Sequence, residues 1–256
     1  MNKTFFKKVF LFLGKTLLIA LLLLLCAFFI GYMLLEEKEY LPKQPKIILN
    51  YDSAYYAQPS RLDSLRRLFG KNKIIPKAIE LETLLALSHY ENLHDTYIRF
   101  ILVPTFIPLS SRPNIYTILN NKKNWEYVIV ISTKSMEEME YILLKNLPFN
   151  SKVGIIGHEL AHTVYYLDKG FFPIIAVALL YPFSNSFRAN FEKNTDRRAV
   201  EYGLGFLLYE YAAYVRKNPA AKNSSFLDTY YLSPAEIKKI VERHQMYQKE
   251  LNKYRF

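Results

Sequence analysis

The residues His158, Glu159 and His162 form the pattern His-Glu-Leu-Ala-His within the segment NSKVGIIGHELAHTVYY. Two histidines four residues apart lie about 40° from each other around an α-helix, one turn apart along its axis. Both imidazoles can therefore reach one metal ion, and zinc binds histidine nitrogens at about 2.0–2.1 Å. Glu159 lies about 100° around the helix from His158, so it flanks the ion without binding it. That position suits a general base for a water molecule at the metal.

A catalytic zinc site takes three protein ligands, so a third residue is needed from elsewhere in the chain. The segment NFEKNTDRRAVEYG supplies Glu192 and Asp196, again four residues apart on a predicted helix. We expect Glu192 to be the third ligand and Asp196 to accept the free N–H of a ligating histidine. Asp196 and Glu201 are alternative third ligands, and the spacing alone also fits a solvated charged helix face. The small residues that would let the two helices approach closely are Gly154, Gly157 and Ala161 on the first, and Ala199 and Gly203 on the second.

The two motifs together resemble the gluzincin metallopeptidases. The wording GHELAHTVYY and FEKNTDRRAVEYG is most similar to the M48-like, membrane-associated branch that includes the HtpX and Ste24 peptidases, and the resemblance covers about residues 112–203. It implies a zincin-like fold with one zinc ion per chain. The resemblance implies that His158, His162 and Glu192 are the metal ligands. It implies that Glu159 is the general base and that Asp196 is a hydrogen-bond partner outside the ligand set. This chain differs from HtpX-type enzymes, which cross the membrane several times, in having one clear apolar span.

Peptide hydrolysis also needs a donor that stabilises the oxyanion of the tetrahedral intermediate. Spacing singles out no residue for this role. The candidates by residue type are Arg197, Tyr202, Tyr230, Tyr231 and His244.

The predicted helices and strands that must position these residues indicate an α+β fold, mostly helical with a small mixed or antiparallel sheet. Strands are predicted at 97–103 and 126–133, where β-branched and aromatic residues alternate, with a third near 114–119. We expect the strand at 126–133 to form a sheet edge along which an extended peptide binds. The helices predicted from capping residues and periodicity are 60–70, 76–90, 135–147, 150–167, 187–216 and one that opens at Ser233.

An uncharged run of twenty residues at 16–35 is long enough to cross a hydrocarbon core. Basic residues precede it, so we expect residues 1–15 in the cytoplasm and the rest of the chain on the other side. Residues 36–59 are predicted to be a juxtamembrane stalk and 60–256 the catalytic domain. A cleaved signal peptide is the main alternative, and a lipid-modified Cys26 is a weaker one. Residues 170–183 are apolar but too short to span; they are either a buried core helix or a flap that covers the cleft or enters the bilayer.

The composition is globular, with 51% hydrophobic and 22% charged residues among 256. The single cysteine excludes an intramolecular disulfide and a Cys-rich zinc finger. No nucleic-acid motif accompanies the net charge of +11, so nucleic acid is not an expected partner. The sequence predicts a membrane-anchored zinc peptidase acting on a peptide or protein substrate, of endopeptidase rather than aminopeptidase type. The alternative is a non-enzymatic surface module that binds anionic polymer or a partner protein, with structural zinc or none.

Overall fold

The computed structural model describes residues 3–35, 42, 45–222 and 225–254. The chain is mostly helical with a four-stranded sheet. The helices are α1 (Lys3–Met33), α2 (Ser53–Tyr56), α3 (Pro59–Phe69), α4 (Glu80–Leu87), α5 (Phe149–Leu167), α6 (Phe171–Phe183), α7 (Asn185–Ala199), α8 (Gly205–Lys217), α9 (Pro219–Lys222), α10 (Phe226–Tyr230), α11 (Pro234–Arg243) and α12 (Gln248–Tyr254). The strands are β1 (Lys73–Ile74), β2 (Tyr97–Val103), β3 (Leu109–Pro113) and β4 (Glu126–Ser132).

The sheet is mixed, with the strand order β1-β2-β4-β3. Strand β2 pairs in parallel with β1 and β4, whereas β3 runs antiparallel to β4 and forms one edge. Our prediction that the strand at 126–133 is an edge is therefore wrong: β4 is bonded on both sides. The third strand precedes its predicted position, because residues 114–119 form a turn held by Asn114, whose carbonyl accepts from the N–H groups of Thr117 and Ile118.

Helix α5 is the centre of the domain. Its residues from Val153 to Tyr166 are all buried, because α4, α7, α8 and strand β3 each pack against it. The face of α5 that carries His158, Glu159 and His162 is therefore buried together with its apolar face. Gly154 lies so close to α8 that a Cβ atom there would sit 2.6 Å from the carbonyl oxygen of Leu207. Gly154 thus allows a close helix approach, but its partner is the backbone of α8 at Leu207 and not the predicted small-residue face of Ala199 and Gly203.

The long helix predicted over 187–216 is interrupted. Helix α7 continues into a π-helical turn, Val200–Leu204, and Gly203 adopts a φ of 89° before α8 begins. This left-handed conformation favours glycine. A Cβ at Gly203 would also collide with the carbonyl oxygen of Lys46, so Gly203 faces the N-terminal segment and not α5.

Residues 46–51, within the segment predicted as a stalk, pack on the domain. Tyr51 belongs to the core: its N–H donates to Asn150 Oδ1 at 2.8 Å, and its hydroxyl lies 2.8 Å from His89 Nε2. His89 Nδ1 in turn lies 3.0 Å from the carbonyl oxygen of Tyr202. Residues 36–41, 43 and 44 of the predicted stalk, together with residues 1 and 2, lie outside the described residues.

Helix α1 contains one stretch, Lys7–Met33, that is long and apolar enough to cross a membrane. A signal sequence satisfies the same criterion. Two capping predictions have different outcomes nearer the C-terminus. Ser233 forms the expected capping box with Glu236, whereas the segment after Ser135 folds as short 3₁₀ turns, Glu137–Ile142 and Leu144–Asn146, instead of a continuous helix.

Candidate metal centre

Helices α5 and α7 bring two histidines and a carboxylate to one buried point. Glu192 Oε2 lies 3.1 Å from His158 Nε2 and 3.2 Å from His162 Nε2. One ligand atom from each of these residues lies within 4.8 Å of the others. Tetrahedral zinc with bonds of about 2.0–2.1 Å separates its ligand atoms by about 3.3 Å. The separations of Glu192 Oε2 from the two Nε2 atoms are close to that spacing, so this buried group can hold a metal ion.

The outer nitrogens of the histidines determine what the inner nitrogens offer. His158 Nδ1 donates to Asp196 Oδ1 at 2.8 Å, because a carboxylate can only accept. Thr195 Oγ1 donates to the carbonyl oxygen of Phe191 and therefore accepts from His162 Nδ1 at 3.2 Å. Neutral imidazoles held in this way present lone pairs at both Nε2 atoms. Three electron-pair donors then face one another, and a positive charge between them is needed to hold them together.

The pKa values of the two histidines and of Glu192 reflect both their burial and their contacts with one another. Burial acts to lower the pKa of His158, but its bonds to Asp196 and Glu192 outweigh burial and raise that pKa well above its usual value. Burial acts to raise the pKa of Glu192, yet the two histidines outweigh it and hold the carboxyl ionised. Burial lowers the pKa of His162. Glu192 is therefore held in the ionised form, which is the form in which a carboxylate binds a metal ion.

Glu159 lies at the same site but outside the ligand group. Its Oε2 atom is buried and has no hydrogen-bond partner among the described residues. Burial raises the pKa of Glu159 to about 8; the charge of His158 opposes the rise and that of Glu192 adds to it. A buried carboxyl oxygen without a hydrogen-bond partner costs stability, so its presence calls for an explanation. A carboxyl group that can take up and release a proton near neutral pH suits a general base.

Asp196 joins the site to the C-terminal part of the chain. Its Oδ1 atom accepts from His158, and its Oδ2 atom accepts from the backbone N–H of Leu232 at 2.8 Å. Both oxygens are thus used for bonds that orient the carboxylate toward His158. This arrangement agrees with the position expected for Asp196, outside the ligand group. Glu201, the other alternative, is not part of the group of possible ligands found among the described residues.

Two further residues at the site carried no sequence signal. Thr195 directly precedes Asp196 and orients His162, and Tyr181 of α6 donates its hydroxyl to Glu192 Oε1. Tyr181 lies in an apolar segment between the motifs, where neither spacing nor charge distinguishes it. A tyrosine four residues before the start of a helix that carries a candidate ligand is not a recognisable pattern.

The structure does not place the oxyanion candidates Arg197, Tyr202 and His244 against the metal ligands. Arg197 is exposed and bonded to Asn194, Tyr202 stacks on Tyr90, and the ring of His244 packs near Tyr247. Tyr230 bonds to Asn185 on the surface. Tyr231 is the exception, with its ring centroid 5.8 Å from that of His158.

Comparisons of the chain with protein-family models, with curated proteins and with solved structures found no match.

Proposed function

We propose that this protein is a membrane-anchored zinc peptidase of the endopeptidase type, with a zincin-like catalytic domain. The observation that supports it is the buried convergence of His158, His162 and Glu192, with Glu159 beside it, whose buried Oε2 atom has no hydrogen-bond partner among the described residues. Two histidines and one glutamate are a donor set that catalytic zinc uses. A purely structural zinc site has no use for a buried base, which disfavours the alternative of a non-enzymatic surface module.

The residues at the site have separate roles in the proposed peptide hydrolysis. His158, His162 and Glu192 would hold a zinc ion, and that ion would supply a Lewis acid for activating water and polarising a carbonyl oxygen. Glu159 removes a proton from the attacking water and then delivers it to the nitrogen of the leaving amine. Asp196 and Thr195 keep the histidine tautomers that direct both Nε2 atoms inward.

We place the substrate along the edge strand β3. This strand packs against α5, and Ser111 Oγ lies 2.9 Å from Thr163 Oγ1, one residue after His162. The outer side of β3 is not paired with any described strand. An extended peptide added there would form main-chain hydrogen bonds and so depend little on the identity of its side chains.

The membrane topology belongs to the same proposal. We infer that α1 is an uncleaved anchor, with residues 1–15 in the cytoplasm and the catalytic domain on the opposite side, because lysines precede the apolar stretch. A reporter enzyme that is active only outside the cytoplasm, fused after Phe256, tests this orientation. An inactive fusion would place the domain in the cytoplasm.

Zinc content and peptide cleavage together test the function. The full-length chain in detergent is compared with Glu192→Ala, with Glu159→Gln and with a surface control, Glu138→Gln. We expect one zinc per chain in the wild type, loss of zinc in Glu192→Ala, and retained zinc without cleavage of quenched fluorescent peptides in Glu159→Gln. A folded wild type that binds no zinc, or Glu159→Gln with full activity, would contradict the proposal.

A further inference from the structure

Helix α6 lies between the N-terminal apolar helix and the metal centre. Its thirteen residues, Phe171–Phe183, include no charged side chain. It packs against both α1 and α7. One end of α6 therefore contacts the helix that we assign to the membrane, and the other end carries Tyr181 to the metal ligand Glu192.

The contact between α1 and α6 is a close backbone approach at Gly31. A Cβ atom at Gly31 would collide with the carbonyl oxygen of Phe172 and would lie 3.1 Å from the Cβ of Ala176. Gly31 is buried and Ala27 and Phe28 are half-buried, whereas residues 7–26 are exposed along their whole length. Contacts in which a glycine lets two backbones approach are typical of packed membrane helices. The C-terminal end of α1 therefore packs closely against α6.

Tyr181 completes the set of outer partners for the three metal ligands. Asp196 orients His158 and Thr195 orients His162, and both partners come from α7, the helix that carries Glu192. The Tyr181 hydroxyl donates to Glu192 Oε1, which leaves Oε2 directed toward the histidines. Tyr181 is the one outer partner that a different helix supplies, so the position of α6 determines whether it is in place.

Tyr181 is itself held in position by α7. Arg188 Nε donates to the carbonyl oxygen of Tyr181 at 3.0 Å, and the ring of Phe191 packs edge-on against the Tyr181 ring with centroids 5.9 Å apart. A phenol fixed at both its backbone and its ring can set the direction of the carboxylate that it contacts. Residues of this kind typically change metal affinity by about 10–100-fold when removed.

We propose that Tyr181 is a positioning residue for Glu192, and that α1, through its contact at Gly31, keeps α6 and Tyr181 in place. This inference depends on the proposed metal function. Under this proposal the N-terminal helix contributes to metal binding. A signal sequence that is removed from the mature protein could not do so. Loosening the contact at Gly31 therefore weakens metal binding at the site that Tyr181 serves.

The test measures zinc affinity of the full-length chain in detergent micelles, by competition with a chromophoric chelator, and the visible spectrum of the Co²⁺-loaded protein. The variants are Tyr181→Phe, Gly31→Leu and Gly31→Ala. The matched controls are Tyr116→Phe, an exposed tyrosine, and Gly14→Leu, a position of α1 with no heavy atom within 4 Å of the added Cβ. Gly31→Ala adds the smallest clash and covers the case in which leucine prevents folding.

We expect Tyr181→Phe to weaken zinc binding by about 10–100-fold and to alter the Co²⁺ spectrum. Both Gly31 variants should weaken binding in the same direction, while both controls stay within about twofold of the wild type. A wild type that binds no zinc would refute the proposed function. Normal zinc affinity in Tyr181→Phe would overturn its positioning role. Weak binding in Tyr181→Phe, with folded Gly31 variants indistinguishable from Gly14→Leu, would overturn the link to α1.

Discussion

The substitution Gly154→Ala tests whether close approach of α5 and α8 holds the domain together. The added Cβ would lie 2.6 Å from the carbonyl oxygen of Leu207 and 2.7 Å from its carbonyl carbon. Both atoms belong to the backbone, so no rotamer change relieves the contact. An ordinary contact begins near 3.4 Å, so the helices must separate by about 0.8 Å at this point.

The expected loss of stability follows from two opposing effects. Overpacking of this kind costs about 1–3 kcal/mol. Alanine in a helix interior gains about 0.5–1 kcal/mol over glycine. Because the clash is with backbone atoms, the upper part of the overpacking range, about 2–3 kcal/mol, applies. We therefore expect the free energy of unfolding to fall by about 1–2.5 kcal/mol, which lowers the Tm of a domain of this size by about 2–10 °C.

Thermal unfolding of the full-length chain in detergent, followed by tryptophan and tyrosine fluorescence, measures the shift. Gly170→Ala is the matched control, because a Cβ at Gly170 meets no heavy atom within 4 Å. It should change the free energy of unfolding by less than about 0.5 kcal/mol. If the Tm of Gly154→Ala is equal to or above that of Gly170→Ala, the contact does not limit the packing of α5 on α8, and the reasoning is refuted.

Three other predictions concern pH, the backbone and the metal. Burial lowers the pKa of His89 to about 3 from 6.5, with the charge of Lys46 adding to the effect, so unfolding takes up a proton between those values and stability falls as the pH falls through that window. Denaturation at several pH values should show that the free energy of unfolding of the wild type falls by about 4–5 kcal/mol across that window. His89→Gln, which can keep both hydrogen bonds, should lack this fall. Equal slopes of unfolding free energy against pH for the two proteins would contradict this assignment. Gly203→Ala should lower the free energy of unfolding by at least about 2 kcal/mol, measured in urea, because a φ of 89° and the Lys46 carbonyl both oppose a side chain; a change below about 0.5 kcal/mol would show that residues 46–51 do not pack there. Removing zinc with a chelator should lower the Tm by several degrees in the wild type and leave His162→Ala unchanged, since a ligand at 100 times its Kd adds about 2.7 kcal/mol; equal Tm values with and without chelator would argue against bound metal.

The convergence of His158, His162 and Glu192 could be predicted from sequence because it depends on local geometry. His158 and His162 are fixed by helical spacing, and Glu192 and Asp196 by the same spacing on a second helix. Their bonds confirm that the two pairs meet. Strands β2 and β4 were predictable for a similar reason, since β-branched and aromatic residues mark them directly.

What escaped prediction depends on contacts between distant parts of the chain. Leu109–Pro113 carries no alternating apolar pattern, and only its pairing with β4 makes it a strand. Nothing in a helical periodicity reveals that Gly203 turns left-handed, because the reason is the approach of residue 46. The role of Tyr181 likewise arises from where α6 packs.

The bonds of Tyr51 and His89 also determine when the chain can finish folding. Tyr51 binds Asn150 across 99 residues, and His89 binds Tyr202 across 113 residues. Contacts that close such long loops form late. At a synthesis rate of about 5–20 residues per second, roughly 8–30 s pass between the production of Tyr51 and that of Tyr202. The apolar N-terminal helix is synthesised long before that, so the anchor that we propose it to be is available to a membrane before the domain that follows it can close.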